Sequence, residues 1–310
     1  MERTEPGQHN EGLKLLTDFR SCSLTYDGIS SARASDPITK KSLSAKIRTG
    51  LAWPRSFTRY RLRAWTDKRI GPISYVRTDE PVVALTFDDG PNPRFTPQLM
   101  RVLAKHGAHA TFFMLGTMAR RHPGIVREIA EQGHAIGNHT SDHPSLPLVS
   151  RRERWRQIRS CSRALGPYEQ KLFRPPYGQR DVGSCMDAAI LGYSIIVWDA
   201  HAFDWLDHDA DWMAKHMISH IHPGSIITLH DAVHNVIDER YADRSPTIRA
   251  VDLLLEEKGR EYQFVTVPEL LRRGRVNRQT CFGDVNKEFP RSLKPNDGPI
   301  YPYAPDGERK

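Results

Sequence analysis

Between residues 82 and 267, short apolar runs alternate with amphipathic helical patterns. That alternation restricts the fold more than any other feature of the chain. The strand candidates are residues 82–87, 110–115, 135–138, 171–174, 194–198, 225–229 and 263–267. Between them lie helix patterns with readable ends. Thr96-Pro97 looks like an N-cap followed by Pro at the first helical position, and that helix stops at Gly107. Pro123 opens a helix with Ile125, Val126, Ile129 and Ala130 on one face, closed by Gly133. Ser150 with Glu153 spells a capping box, Asp209 caps a helix to His220, and Ser245-Pro246 caps one toward Lys258. A further helix is expected over 182–191. Strand–helix alternation of this kind gives a parallel sheet with helices outside. The expected fold is α/β, a distorted parallel (β/α) barrel of about seven strands. An open doubly wound sheet is the alternative.

The flanks read differently. Residues 1–75 form a basic, poorly periodic extension, 76–274 the main domain, and 275–310 a tail rich in Pro and charge. Within 40–69, Lys and Arg are interleaved with Trp53, Phe57, Tyr60 and Trp65. A partly ordered arm packed on the main domain is expected here, ahead of a nucleic-acid or membrane-surface element. The formal net charge of +8 suits anionic partners, but the charge is spread out, and solubility is the simpler reading. Four cysteines in 310 residues make no CxxC pair and no disulfide scaffold. Residues 1–20 lack the apolar core of a secretory signal, and no apolar run is long enough to span a bilayer. By default the expected compartment is the cytoplasm.

The chemistry-bearing residues follow the strands. Asp88 and Asp89 follow the first, His139 and His143 the third, and Arg174 ends the fourth. Asp199 to Asp204 follow the fifth, and His230-Asp231 end the sixth. In a barrel, C-terminal strand ends converge on one face, where active sites sit. Gly90 and Pro91 impose a turn after the two carboxylates, so one can bind a cation while the other acts as a base. Alone, the pair is equally a solvated loop or a helix cap. A H-x-x-x-H spacing brings His139 and His143 to one side of a helical turn. With one carboxylate they suit zinc or a similar cation with an open position. Arg174-Pro175-Pro176-Tyr177 is a stiff loop that can present the Tyr177 N–H toward a substrate oxygen. His230, at the end of an apolar strand, is a candidate general acid. Each of the last two is equally an ordinary turn or a His-Asp cap when taken alone.

Together these residues resemble the polysaccharide deacetylase family, carbohydrate esterase family four, with its NodB-homology domain. The resemblance covers residues 83 to about 267. Thr86-Phe87-Asp88-Asp89-Gly90-Pro91, His139-Thr140-Ser141-Asp142-His143, Arg174-Pro175-Pro176-Tyr177 and Leu229-His230-Asp231 match four of its ordered motifs. The resemblance implies a metal triad of Asp89, His139 and His143, with Asp88 as base and Arg174 as its positioner. It implies an oxyanion donor at the Tyr177 N–H, His230 as acid, and Trp205 and Leu229 as acetyl-pocket lining. One divalent cation follows, zinc first, with cobalt, nickel or manganese as alternatives. The fourth motif departs from D-x-x-D-W: His201 stands at its first acidic position, and Asp204 and Trp205 fit. Asp204 alone, or with Asp199, is then expected to support His230.

The implied activity is removal of N-acetyl groups from N-acetylglucosamine glycans, either chitooligosaccharide or peptidoglycan. The alternatives are a cyclic-imide or ureide amidohydrolase on the same fold and a non-catalytic glycan-binding protein. A glycan is the expected partner and a nucleic acid is not. Many relatives implied by the resemblance are exported.

Overall fold

The structure, a computed structural model, describes residues 67–234 and 239–281. The readings made for the basic arm before residue 67 and for the tail after 281 lie outside them. The chain begins with β1 (Ile73–Arg77) and the central strand β2 (Val82–Asp88). Then come α1 (Thr96–Lys105), β3 (Ala110–Met114), α2 (Gly116–Arg121), α3 (Pro123–Glu131) and β4 (Ala135–Asn138). The second half runs α4 (Arg151–Leu165), β5 (Glu169–Phe173), α5 (Val182–Ile190), β6 (Ser194–Ile195) and β7 (Ala200–His201). It closes with α6 (Ala210–His220), β8 (Ile226–His230), α7 (Ser245–Lys258), β9 (Gln263–Phe264), α8 (Val267–Leu270) and β10 (Arg275–Arg278).

The main sheet has the order β6-β5-β4-β3-β2-β8-β7, with β9 beside β2 off this path. Every pairing in it is parallel. Strands β6 and β7 stand at opposite ends of that order, yet only residues 196–199 separate them in sequence. At about 3.3–3.6 Å per residue so short a link cannot cross an open sheet of this width. The sheet therefore curls until its edges nearly meet, which selects the barrel over the open doubly wound sheet.

Alternation along β2 sorts the core. Val83, Leu85 and Phe87 join the layer between sheet and helices. Val82 and Ala84 point into the barrel with Ile226, Phe113 and Ile196. Thr86 and Asp88 continue the inward face toward the C-terminal end and are buried there. The barrel is thus apolar at its base and polar at its mouth. The base is closed by β1, whose Ile73 and Val76 enter the interior cluster. Val76 N–H donates to Gly224 O at 2.9 Å, and Val197 N–H to Ile73 O at 2.8 Å.

Several local expectations are corrected. The tail was read from residue 275, but Arg275–Arg278 is a strand, antiparallel to β1. It has no apolar run to announce it, because backbone bonds to β1 hold it. Thr96 lies inside α1 rather than capping it, since its hydroxyl is taken by Asn92 N–H and Asp231. Ser245 is likewise the first residue of α7 and binds Asp243. Ser150 accepts from Glu153 N–H, but the Glu153 carboxylate turns to Arg156 and Gln157, so the capping box is half formed.

Gly224 has φ +87°, and a Cβ there would lie 1.7 Å from Val76 O. Gly224→Ala is expected to lower the unfolding free energy by at least about 2 kcal/mol. Urea denaturation followed by tryptophan fluorescence measures it, and an unchanged midpoint would show that β1 does not seal the base.

Candidate metal centre and active site

Asp88 ends β2 and Asp89 begins the turn beyond it. Asp89 has φ +73°, a left-handed conformation that swings its side chain away from that of Asp88. Gly90 follows with no room for a Cβ, which would meet Asp231 Oδ2 at 2.2 Å.

The two carboxylates acquire different neighbours. Asp89 Oδ1 lies 3.4 Å from His139 Nε2 and 3.3 Å from His143 Nε2. One ligand atom from each of the three residues falls within 4.8 Å of the others, and all three residues are buried. His139 Nδ1 lies 2.8 Å from the carbonyl oxygen of Arg174. A carbonyl only accepts, so Nδ1 carries the proton and Nε2 offers its lone pair toward Asp89. Asp89 Oδ2 accepts from His234 N–H at 2.9 Å. Among the described residues, Asp89 Oδ1 and His143 Nδ1 are buried with no hydrogen-bond partner. Burial raises the Asp89 pKa, but His143, His139 and His230 outweigh it and hold the carboxyl well below its usual range. Burial, reinforced by His139, His234 and His230, pushes the His143 pKa down despite Asp89. An ionised carboxylate facing two imidazole nitrogens, with an orphaned oxygen between them, fits a divalent cation. The donor set of one oxygen and two nitrogens is that of zinc and its borderline neighbours.

The imidazoles do not meet on a helical turn, as the spacing suggested. Thr140 and His143 both have positive φ, 70° and 59°. The loop is held from outside: Gln157 Oε1 on α4 accepts from both Ser141 and Asp142 N–H at 2.9 Å.

Asp88 instead faces Arg174, which is fully buried. Its Nη1 donates to Asp88 Oδ1 at 2.8 Å, Thr86 Oγ1 at 2.6 Å and Thr228 Oγ1 at 3.1 Å. Nη2 reaches Val197 O at 3.3 Å, and the guanidinium lies over the Phe113 ring at 4.2 Å. Tyr177, with φ +58°, sets its ring edge-on to His143 at 4.4 Å, so it does border the metal group.

On the neighbouring strand, His230 is directly opposite Asp88 in the β2–β8 register. Its Nδ1 lies 2.9 Å from Asp204 Oδ1, and its backbone N–H donates to Asp204 Oδ2 at 2.8 Å. Burial works against charge on His230, but Asp204, then Asp89 and Asp88, more than offset it and lift the pKa to about 9. Trp205 stands edge-on to His230 at 5.5 Å. Asp204 contacts His230 without Asp199, which binds Ile226 N–H, Ser225 and His222. His201, in the place of the missing acid, packs against Phe203 and His216.

Leu229 does not line the mouth. It is fully buried between sheet and helices with Phe87 and Ile227, and Thr228 holds the inward face. Adjacent strand residues point to opposite sides, which is why a motif match one residue off changes the assignment. Sequence reasoning also missed Arg244, whose buried guanidinium donates to Asp204 O at 2.6 Å. It missed Thr86 and Thr228 beside Arg174 as well. Asp231 is lifted by burial to about 7 and receives the Thr96 hydroxyl.

A curled parallel sheet with one carboxylate–imidazole cation site at the strand ends, flanked by a carboxylate–arginine pair and a histidine–carboxylate pair, defines a metal-centre barrel of the hydrolytic type. The polysaccharide deacetylase family model matches residues 75–196. A peptidoglycan-N-acetylglucosamine deacetylase of Bacillus cereus is 35% identical, over 66% of this chain and 97% of the relative. A chitooligosaccharide deacetylase of Sinorhizobium fredii is 38% identical, over 50% of this chain and 74% of the relative. The crystal structure of the Bc1960 peptidoglycan N-acetylglucosamine deacetylase aligns with a TM-score of 0.62 at 32% identity, covering 68% of this chain and 98% of that one. The chain belongs to the polysaccharide deacetylase family. Among the described residues, no helix is long and apolar enough to cross a membrane.

The purified protein is expected to bind one zinc ion per chain by elemental analysis. His143→Ala and Asp89→Ala should each weaken zinc binding at least about 100-fold in a chelator competition titration. Undiminished affinity in both variants would place the metal elsewhere.

Proposed function

We propose that the protein is a hydrolase that removes N-acetyl groups from N-acetylglucosamine-containing oligo- or polysaccharides. The observation that carries this reading is the placement of the Asp88–Arg174 pair and the His230–Asp204 pair on facing positions of adjacent strands, beside the Asp89-His139-His143 group. The relatives' activities on peptidoglycan and chitooligosaccharide support it.

Asp89, His139 and His143 would hold a divalent cation, which would supply Lewis acidity to the acetyl carbonyl and to water. The rest is done by the chain's own groups. Asp88 accepts the proton of the attacking water. Arg174 and the two threonines keep it in one orientation. The Tyr177 N–H donates to the developing oxyanion; losing one such donor typically costs about 2.7–4 kcal/mol of barrier. His230 delivers a proton to the departing sugar nitrogen, and Asp204, clamped by Arg244, keeps that proton in place until then. Trp205 gives the acetyl methyl an apolar wall.

The test is acetate release from N-acetylated chitooligosaccharides and from peptidoglycan, with wild type and Asp88→Asn each metal-stripped and reloaded with zinc. Release that depends on zinc and falls at least about 100-fold in the variant is expected. No release from either glycan, with ammonia released from cyclic imides, would shift the reading to the imide hydrolase. Binding without turnover would shift it to a glycan-binding protein.

The pH dependence follows from His230. Its pKa is raised, so it carries the acid proton below about 9 and loses it above. Activity should therefore fall as pH rises through about 9. Asp204→Asn removes the leading contribution that lifts His230, and should move that limb to lower pH. A kcat profile with an unmoved alkaline limb in Asp204→Asn would remove His230 from the acid role.

A further inference from the structure

Helix α4 carries a feature that the catalytic groups do not use. Arg151, Arg152, Trp155, Arg156, Arg159 and Arg163 form an open surface stripe along it. The charges are not balanced along it. Arg151 pairs with Asp187, and Arg156 with Glu153 and Asp142. Arg152, Arg159 and Arg163 are exposed and, among the described residues, have no carboxylate partner within 4 Å. Arg152 and Arg156, and Arg159 and Arg163, are like-charged pairs four residues apart, an arrangement that destabilises an isolated helix.

The stripe is also built. Trp155 Nε1 donates to Asp187 Oδ1 at 2.8 Å, which fixes the indole. The guanidinium of Arg159 lies over that ring at 4.5 Å and that of Arg151 at 5.3 Å. A stacked guanidinium keeps its planar donor edge free for a carboxylate and has lost part of its rotamer freedom already.

Its position matters. Gln157, on the same helix, holds the backbone of Ser141 and Asp142 inside the metal loop, and Arg156 reaches Asp142 at 3.4 Å. The stripe therefore touches the metal loop through Arg156, near its middle. From Arg152 to Arg163 it runs about 16 Å down the helix.

We infer that this arginine–tryptophan face of α4 is an anion-binding exosite for a carboxylate-bearing glycan, which it holds while a neighbouring sugar occupies the metal site. The inference rests on the deacetylase reading above. Charge complementarity selects an acidic polymer over neutral chitooligosaccharide. Proximity to the metal loop selects the substrate polymer itself over a nucleic acid or a lipid surface.

The experiment compares the zinc-loaded wild type with the Arg152→Ala/Arg159→Ala/Arg163→Ala variant on two substrates. One is neutral chitohexaose; the other is soluble peptidoglycan fragments whose lactyl and peptide groups carry carboxylates. The variant should show KM raised about tenfold on the acidic fragments, with kcat kept and chitohexaose kinetics unchanged. The wild-type KM on the acidic fragments should rise with salt, and this slope should flatten in the variant. Equal kinetics of the two proteins on the acidic fragments would overturn the exosite. So would loss of binding to single-stranded RNA or to anionic phosphatidylglycerol vesicles in the variant without a change in KM. If neither protein releases acetate from either glycan, the deacetylase reading fails instead. Cosedimentation of both proteins with insoluble peptidoglycan then decides the exosite by itself, weaker retention of the variant supporting it and equal retention overturning it.

Discussion

The burial of the Arg174 guanidinium is the constraint on which the rest of the structure depends. A full charge taken out of water is tolerated only when paired and hydrogen-bonded on nearly all sides. Here the partners of Nη1 and Nη2 come from β2, from β8 and from the link between β6 and β7, while Nε has none among the described residues. One side chain thus draws together the inner faces of strands that the sequence separates widely. The same residue serves the metal group through its backbone, since its carbonyl oxygen receives the His139 Nδ1 proton. The orientation of the proposed base and the tautomer of a proposed ligand are consequences of one residue's placement. Arg174 also neutralises Asp88, so that the uncompensated negative charge at the mouth is concentrated on Asp89.

Two adjacent carboxylates end up in opposite electrostatic roles without any difference in side-chain chemistry. Asp88 sits against a fixed cation, and Asp89 against two imidazole nitrogens with an oxygen left unpartnered among the described residues. The left-handed turn at Asp89 produces that split. A third carboxylate, Asp204, is assigned to His230 and is itself screened by Arg244. The mouth is therefore a set of locally neutralised pairs around one site that calls for a cation.

Much of this was legible in the chain. The placing of Asp88, Asp89, His139, His143, Arg174 and His230 after strands was enough to predict one convergent mouth, because strand ends in a barrel share a face. What was not legible depends on single-residue geometry. Leu229 was misplaced because one step along a strand reverses the face. The His139–His143 turn was misread because i,i+4 spacing implies a helix only where φ is negative, and Thr140 departs from that. Strand β10 was invisible because it has no apolar run: its backbone pairs with β1 and its polar side chains bind Arg77, Ser74 and Gly71. Arg244 carries no local pattern, and its role arises only when α7 docks beside the loop holding Asp204. The choice between Asp204 and Asp199 likewise needed the register of β7 on β8, which assigns Asp199 to the start of β8.

The positive-φ residues other than glycine are Asp89, Thr140, His143, Tyr177 and Phe203 among those described. The first four belong to the metal group or its rim. A non-glycine residue in this region gives up conformational stability that its own contacts must return. The centre is consequently not portable as a set of side chains: grafting an aspartate and two histidines onto another barrel would reproduce the inventory without the geometry. What would have to be transplanted is the pair of left-handed turns with their anchors, Gly90 against Asp231 and the metal loop against Gln157. For protein design, this makes the backbone, rather than the ligand residues, the unit of heredity of the site.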